Sequence, residues 1–178
     1  MKFLKRLLLF ILFLVAAALI TALFVSKDLN VSKEVVINKP KQDVFNYIKQ
    51  LKNQNNYAVW NKMDPNMKQT FTGTDATVGF ISAWEGNKDV GKGQQTITKI
   101  TEGERFETEL KFIEPWESKA NAFMTTTAVN DSTTKVSWGF ESKMAYPMNI
   151  TKLFMDMEKM LGDDYQKGLA NLKTVLEK

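Results

Sequence analysis

The sequence predicts an α+β protein in which a curved antiparallel sheet packs on a long C-terminal helix, preceded by an N-terminal transmembrane helix. Three observations lead to this prediction. An apolar run covers residues 7–25, six runs with a two-residue period follow between residues 68 and 144, and the last thirty residues have the period of an amphipathic helix. Such a helix buries its apolar stripe against the apolar face of a sheet, which gives a two-layer fold.

The first element has the length and composition of a membrane-spanning helix. Residues 7–25 read LLLFILFLVAAALITALFV, in which Thr21 is the sole polar side chain. At 1.5 Å per residue the run spans about 28 Å, close to the hydrocarbon thickness of a bilayer. A cleaved signal peptide is the alternative, but its apolar core usually has about 7–15 residues and ends at a small-x-small site, which is not found at residues 22–26.

The charges that flank this run predict its orientation. Lys2, Lys5 and Arg6 precede it, whereas Lys27 and Asp28 cancel each other after it. The linker that follows reaches at most about 18 Å, so the domain beyond it is expected to lie against the lipid surface. The positive-inside rule therefore predicts a single-pass chain with its N-terminus in the cytoplasm. The predicted segments are a cytoplasmic segment (1–6), a transmembrane anchor (7–25), a short linker (26–30) and an extracytoplasmic domain (31–178).

A strand and a short helix are expected to begin the domain. Residues 31–37 are rich in β-branched side chains and alternate in polarity. Asn38 and Pro40 then mark the start of a helix, with Asn as its cap and Pro in its first turn, and residues 44–51 carry an apolar stripe at helical spacing. The polar cluster at residues 53–56 is expected to end this helix before a second short helical piece.

Six strand-like runs follow, separated by clusters of Gly, Asn, Asp and Pro. Connections of hairpin length predict an antiparallel meander. The runs are residues 68–72, 79–85, 94–101, 106–113, 119–129 and 134–144. Alternation gives each strand one apolar and one solvated face, and the apolar face of the fourth and sixth runs includes Phe106, Thr108, Leu110, Phe112, Val136, Trp138 and Phe140.

The last element is predicted as one helix from about Asn149 to the C-terminus. Asp164 is a charge within its apolar stripe, and Gly168 leaves a notch there that costs about 1 kcal/mol of helix stability relative to Ala. Helix and sheet can therefore separate at this point to enclose a cavity. The stripe consists of Leu153, Met157, Leu161, Asp164, Gly168, Leu172 and Val175.

The composition excludes several kinds of chemistry. The chain of 178 residues contains no cysteine and no histidine, so it has no disulfide, thiolate nucleophile or imidazole base, and the usual zinc sites are excluded. The excess of 24 basic over 20 acidic residues lies mainly in the first thirty residues, and a nucleic-acid binder would carry a clustered basic face. We expect no metal, no cofactor and no nucleic-acid partner.

Two further motifs have plain structural interpretations. Residues 86–93 resemble a phosphate-binding loop, but Gly93 stands where a hydroxyl must bind Mg²⁺ and a strand follows where a helix is required. A hairpin turn is therefore favoured, and no nucleotide is expected. Glu107 and Glu109 share the solvated face of a strand, which favours ion pairing over acid–base chemistry.

Short segments throughout residues 31–178 resemble one known superfamily. They are Val36-Ile37-Asn38-Lys39-Pro40, Trp84-Glu85-Gly86-Asn87, Phe112-Ile113-Glu114-Pro115, Lys135-Val136-Ser137-Trp138-Gly139, Met157-Glu158-Lys159-Met160-Leu161-Gly162 and Lys167-Gly168-Leu169-Ala170. Together they are similar to START-like, polyketide cyclase/dehydrase-like and birch-allergen-like proteins (the SRPBCC superfamily), including bacterial members with an N-terminal membrane segment. The resemblance implies the helix-grip fold and a cavity for a hydrophobic ligand, but no fixed catalytic residues.

Aromatic and methionine side chains are the candidates for this cavity. Each of them taken alone is a common core residue, whereas a group of flexible thioethers and broad aromatic faces suits an apolar ligand. No catalytic or metal-binding residue is assigned. The candidate ligand-binding residues are Trp84, Phe106, Thr108, Leu110, Phe112, Met124, Trp138, Phe140, Met157, Leu161, Asp164 and Gly168.

The sequence thus favours a membrane-tethered domain that binds a hydrophobic small molecule or a lipid. Two alternatives stay open, namely a cyclase- or dehydrase-type enzyme acting on a hydrophobic substrate and a non-catalytic protein-interaction module at the membrane. An enzyme would have to use carboxylates, Lys or Tyr for proton transfer, and these residues form no convincing constellation in the sequence. Binding is therefore expected in preference to catalysis.

Overall fold

An N-terminal helix precedes an α+β unit in the computed structural model, which describes residues 2–178. Met1, the first residue of the expected cytoplasmic segment, lies outside the described residues. The elements are α1 (Lys2–Phe24), β1 (Asp28–Ile37), α2 (Lys41–Ile48), α3 (Gln54–Tyr57), β2 (Lys68–Thr72), β3 (Ile81–Glu85), β4 (Lys92–Thr101), β5 (Arg105–Glu114), β6 (Ser118–Asn130), β7 (Thr133–Lys143) and α4 (Met157–Leu176), with short 3-10 helices at Leu51–Asn53, Trp60–Lys62 and Met148–Leu153.

The seven strands form one antiparallel sheet with the order β1-β7-β6-β5-β4-β3-β2. The strands β2 to β7 follow one another as a meander, and β1 joins the sheet by pairing with the last strand. Alternation sets the two faces, since Phe106 and Thr108 are almost fully buried while Lys111 on the opposite face is exposed. The predicted fold class is confirmed.

Helix α4 runs along the edge strand β1. Lys173 Nζ donates a hydrogen bond to the backbone oxygen of Val36 (2.7 Å), and the backbone N–H of Asn38 donates to Glu177 Oε1 (2.6 Å). These contacts cover an edge that would otherwise be open to pairing with another chain. They also place α4 at one side of the inner face of the sheet rather than over its centre.

The hydrophobic core fills the end of the sheet that lies away from α1. There the helix α2 and the C-terminal half of α4 pack on the sheet, because both present apolar side chains at helical spacing. The fully buried side chains of this region include Phe45, Ile48, Phe80, Ile97, Phe106, Met124, Val136, Leu169 and Leu172. The opposite end of the sheet, next to α1, is less completely covered.

Helix α1 projects from the α+β unit and contacts it only at its C-terminal end. By length and composition it is the one helix among residues 2–178 that is able to cross a membrane, although a signal sequence has the same properties. Asn149 Nδ2 donates to the backbone oxygens of Ala22 (2.7 Å) and Val25 (2.8 Å), and the Tyr146 hydroxyl donates to the oxygen of Leu19 (3.2 Å). Asn149 therefore satisfies carbonyl groups that a helix end leaves unpaired.

The expectation of one continuous helix from Asn149 is wrong at its start. Residues Met148–Leu153 form a 3-10 helix, and α4 begins only at Met157. The reason is that Asn149 is directed towards the end of α1, while Asp156 caps α4 by accepting the Lys159 N–H at 2.9 Å. Leu153, which was expected on the buried stripe, is consequently 55% exposed.

Two smaller expectations are also wrong. The N-cap of α2 is Pro40, with no capping side chain, and Asn38 instead joins β1 to the end of α4. The polar residues 53–56 do not end the helical region, since α3 starts at Gln54. Tertiary contacts explain the second difference, because Asp75 accepts the backbone N–H groups of Leu51 and Lys52 and so fixes the start of this segment.

The cap of α4 provides a test of the interruption between the 3-10 helix at Met148–Leu153 and α4. Asp156→Ala is expected to lower the free energy of unfolding by about 0.5–2 kcal/mol because the Lys159 N–H loses its acceptor. Asp156→Asn is the control, since an Asn side chain caps equally well. The measurement is urea unfolding followed by tryptophan fluorescence, and equal loss in both variants would contradict the assigned cap.

Candidate functional site

A cavity of about 300 Å³ lies at the end of the sheet nearest α1. Strands β3 to β7 form one wall, and the N-terminal half of α4 together with residues 54–67 forms the other. The cavity exists because α4 follows the β1 edge and leaves the centre of the inner face to shorter segments. Its walls are mainly apolar, with a few amide and carboxylate groups among them.

Seven of the twelve candidate residues line this cavity, and strand alternation explains their positions. The inward positions of β5 and β7 supply four of them, β3 supplies one, and the first two turns of α4 supply two. They are Trp84, Leu110, Phe112, Trp138, Phe140, Leu161 and Asp164. Their role in ligand binding remains a prediction.

The other five candidates lie outside the cavity wall. Phe106 and Met124 are buried in the filled core at the far end of the sheet. Met157, at the start of α4, is partly buried against the hydrophobic core at the end of the sheet nearest α1. Thr108 is buried next to the cavity but is not part of its lining. Its hydroxyl accepts a hydrogen bond from Gln95 Nε2 at 2.9 Å. Of this hydrogen-bonded pair, Gln95 lines the cavity and Thr108 does not.

Gly168, the fifth, does not leave an open notch in α4. A Cβ atom at this position would lie 2.9 Å from Cζ3 of Trp138, so the indole ring already occupies the space. Trp138 in turn contacts Trp60 and Tyr165, with ring centroids 5.3 and 4.7 Å apart. These three rings, which we call the aromatic floor, close the bottom of the cavity.

Buried tyrosines beside the floor are held in the neutral form. Burial raises the pKa of Tyr165 and of Tyr57 well above the usual range of a phenol. The Tyr57 hydroxyl donates to the Met124 thioether at 3.6 Å, a weak acceptor in an apolar region. Neither residue therefore supplies a phenolate base or nucleophile at neutral pH.

Sequence reasoning missed the segment between α3 and β2. Together with Gln54 of α3, this segment covers the cavity opposite the sheet, and it contributes Trp60, Asn61, Met63 and Met67. The available signal was the spacing of Trp60, Met63 and Met67, which are large apolar residues at i, i+3 and i+7 in a polar stretch. Gln69, Ser82, Asp89, Val90, Gln95, Ala122 and Tyr165 complete the residues that were missed.

The mouth of the cavity lies between two loops at the α1 end of the sheet. Met63 and Asp89 are the exposed members of its lining, one in each loop. Asp64 joins the loops because its Oδ2 accepts the backbone N–H of Asn87 at 2.7 Å. The expected hairpin turn at residues 86–93 is confirmed, since β3 and β4 are antiparallel neighbours.

The charged groups around the cavity are few. Asp164 Oδ1 lies 3.5 Å from Lys167 Nζ, outside the range of a strong ion pair. Within residues 2–178, no three acidic side chains come together in a way that could hold a metal ion. Glu107 and Glu109 lie on the outer face of the sheet, away from the cavity. Glu107 forms an ion pair with Arg105 at 2.9 Å, and Glu109 forms one with Lys119 at 3.2 Å. The geometry is thus suited to an apolar molecule with a modest polar end.

Comparison with known proteins identifies the family. Residues 28–177 match the model of the family described as polyketide cyclase/dehydrase and lipid transport. The chain belongs to this family. The resemblance seen in the sequence is thereby confirmed, whereas a membrane-anchored branch is not shown. No match is found among curated proteins.

Solved structures with the same fold cover most of the chain. A protein from Nitrosospira multiformis is 18% identical with a TM-score of 0.60, over 83% of this chain and 95% of that one. A protein from Chromobacterium violaceum is 13% identical with a TM-score of 0.59, over 84% and 98%. The Aha1 dimer from Colwellia psychrerythraea is 16% identical with a TM-score of 0.57, over 83% and 96%. Identities this low show the helix-grip fold alone.

The contact between Gly168 and the aromatic floor gives a second prediction. Gly168→Leu is expected to destabilise the fold by about 1–3 kcal/mol, because the new side chain must displace the Trp138 ring from a packed position. Ala170→Leu, at an exposed position of the same helix, should change stability by less than about 0.5 kcal/mol. Thermal and urea unfolding measure both, and wild-type stability of Gly168→Leu would show that the notch is open after all.

Proposed function

We propose that this protein binds a hydrophobic small molecule or a lipid in its cavity while α1 holds it to a membrane. The apolar cavity with its mouth beside α1 is the observation that carries this proposal. Family membership supports it, because the family description includes lipid transport. The proposal concerns binding and release, without a chemical step.

The walls of the cavity favour an apolar ligand. A volume of about 300 Å³ is at the lower end of the range for small-molecule sites, and it suits one compact molecule or part of a lipid chain. Binding free energy would come from buried apolar area, at about 25 cal/mol per Å² before the costs of association. Gln54, Gln95 and Asp164 are placed to orient a polar end of the ligand.

The membrane anchor is supported by two independent observations. The side chains of α1 are apolar and almost all of them are exposed, which is unfavourable in water and favourable in lipid. In addition, Asn149 is fully buried and donates to the last turn of α1, so cleavage of this helix would remove its acceptors. Both observations favour a retained anchor over a cleaved signal peptide. The flanking charges favour a cytoplasmic N-terminus and an extracytoplasmic α+β unit.

A cyclase- or dehydrase-type enzyme is the second candidate. It is favoured by the family description and by the two carboxylates, Asp89 and Asp164, that line the cavity. Acid–base catalysis requires proton-transfer groups in environments that tune their pKa values. The buried tyrosines are held neutral, and Asp89 is at the exposed mouth. Binding without catalysis is therefore the better supported function.

Two adjacent positions on β3 give a matched test. Ser82 faces the cavity, whereas Ala83 faces the opposite side of the sheet. Ser82→Trp is expected to fill the cavity, to weaken binding of a co-purified ligand about tenfold, which corresponds to roughly 1.4 kcal/mol of binding free energy, and so to lower its occupancy. Ala83→Trp should retain the ligand. Native mass spectrometry of the full chain released from lipid nanodiscs measures occupancy as a bound mass.

The same experiment separates the alternatives. A bound mass in the wild type and in Ala83→Trp, but not in Ser82→Trp, supports the proposal. A bound mass that changes during incubation with the protein points to an enzyme. Retention of the same mass by all three proteins, or a protein partner in place of a small molecule, would contradict the proposed site.

A further inference from the structure

Exposed apolar side chains are concentrated in one segment of the α+β unit. Between residues 146 and 155, five large apolar or aromatic side chains point away from the core, and Phe154 is the most exposed of them at 83%. We call this segment the apolar collar; its exposed members are Tyr146, Met148, Leu153, Phe154 and Met155. A contiguous apolar surface of this kind marks a site of interaction with another phase or molecule.

Hydrogen bonds fix the collar around the end of α1. The Tyr146 hydroxyl donates to the oxygen of Leu19, and Asn149 donates to those of Ala22 and Val25. From Leu19 to the end of the helix at Phe24 the axis rises about 7.5 Å. The collar therefore lies beside the last turn and a half of the apolar run, not beyond its end.

This position determines the depth of the collar in a membrane. The run from residue 7 to residue 25 is only about 28 Å long, so its whole length is needed to cross the hydrocarbon layer. Residues that bond to the backbone of its last turns must then lie at the boundary between acyl chains and headgroups. Tyr146 is one of the residue types that are enriched at this boundary.

The charges around the collar also fit a lipid surface. Lys27 follows α1 directly, and its Nζ lies 5.9 Å from the centroid of the Tyr146 ring. Lys143 ends β7 at the same end of the sheet and is exposed. Lysines next to exposed apolar side chains place their ammonium groups at the level of lipid phosphates while their stems cover apolar surface.

A second exposed aromatic residue lies at the same end of the sheet. Trp116 is 78% exposed in the turn between β5 and β6. The register places this turn at the sheet end where β1 begins, because Phe112 pairs with Ser118, Ala120 with Ser142 and Asp28 with Lys143. Trp116 therefore lies at the same end of the sheet as the collar, although it belongs to a different part of the chain.

From these observations we infer that the apolar collar is a lipid-contact surface, immersed in the headgroup region of the leaflet in which α1 ends. The inference rests on the membrane anchor of the proposed function and adds a second attachment to it. The collar holds the α+β unit in one orientation, with Met63 and Asp89 at the cavity mouth turned towards the bilayer. A hydrophobic molecule would then pass between membrane and cavity over a short path.

The test uses the absence of cysteine from the chain. Single variants Phe154→Cys, Met148→Cys, Val78→Cys and Leu12→Cys of the full chain are labelled with an environment-sensitive fluorophore. They are reconstituted in vesicles of phosphatidylcholine and phosphatidylglycerol that contain lipids with a nitroxide either just below the headgroup or deep in the acyl chain. Val78 is the matched control, because it is exposed at the opposite end of the sheet.

Each outcome is decisive. We expect labels at residues 154 and 148 to lose more than half of their fluorescence to the shallow nitroxide, the label at residue 12 to be quenched by the deep one, and the label at residue 78 to be quenched by neither. Quenching at residue 12 without quenching at 154 and 148 overturns the collar but leaves the anchor. No quenching at residue 12 overturns the anchor, and the collar with it. Labels at 154 and 148 that are shielded from aqueous iodide but not quenched by nitroxide lipid would indicate a second protein surface and also overturn the inference.

Discussion

The sheet is more than twice as wide as helix α4, so this one helix covers only part of the inner face. Seven strands at about 4.8 Å spacing make a surface roughly 29 Å wide, whereas one helix is about 10–12 Å across. Helix α4 is tied to the edge strand β1, so it leaves most of the inner face to shorter segments. These segments fill one end of the sheet with core side chains and leave a cavity at the other.

The parts of this arrangement that depend on local periodicity could be predicted from the sequence. Alternation alone placed Leu110, Phe112 and Phe140 on the inner face, and all three line the cavity. The rest depends on partners distant in the chain. Asn149 binds a backbone oxygen 127 positions away and thereby interrupts the expected helix. The ring of Trp138 fills the space beside Gly168, and no pattern within α4 reveals which side chain of the sheet lies opposite.

The cavity and the apolar collar belong to the same end of the molecule for one reason. Only three residues separate the end of α1 from the start of β1, so the sheet end at which β1 begins is necessarily close to the end of that helix. The loops that form the cavity mouth are at this sheet end too, since Glu85 of β3 pairs there with Lys68 of β2 on one side and with Lys92 of β4 on the other. Chain connectivity thus brings the apolar cavity next to the proposed source of its ligand.

An experimental structure of the full chain, purified from a membrane without delipidation, is the most direct way to see whether the cavity holds an apolar molecule. We expect continuous elongated density above the aromatic floor, in contact with Trp84, Leu110 and Trp138. A cavity that contains only ordered water hydrogen-bonded to Gln95 and Asp164, or one closed by inward movement of Leu110 and Trp60, would contradict the proposed binding function.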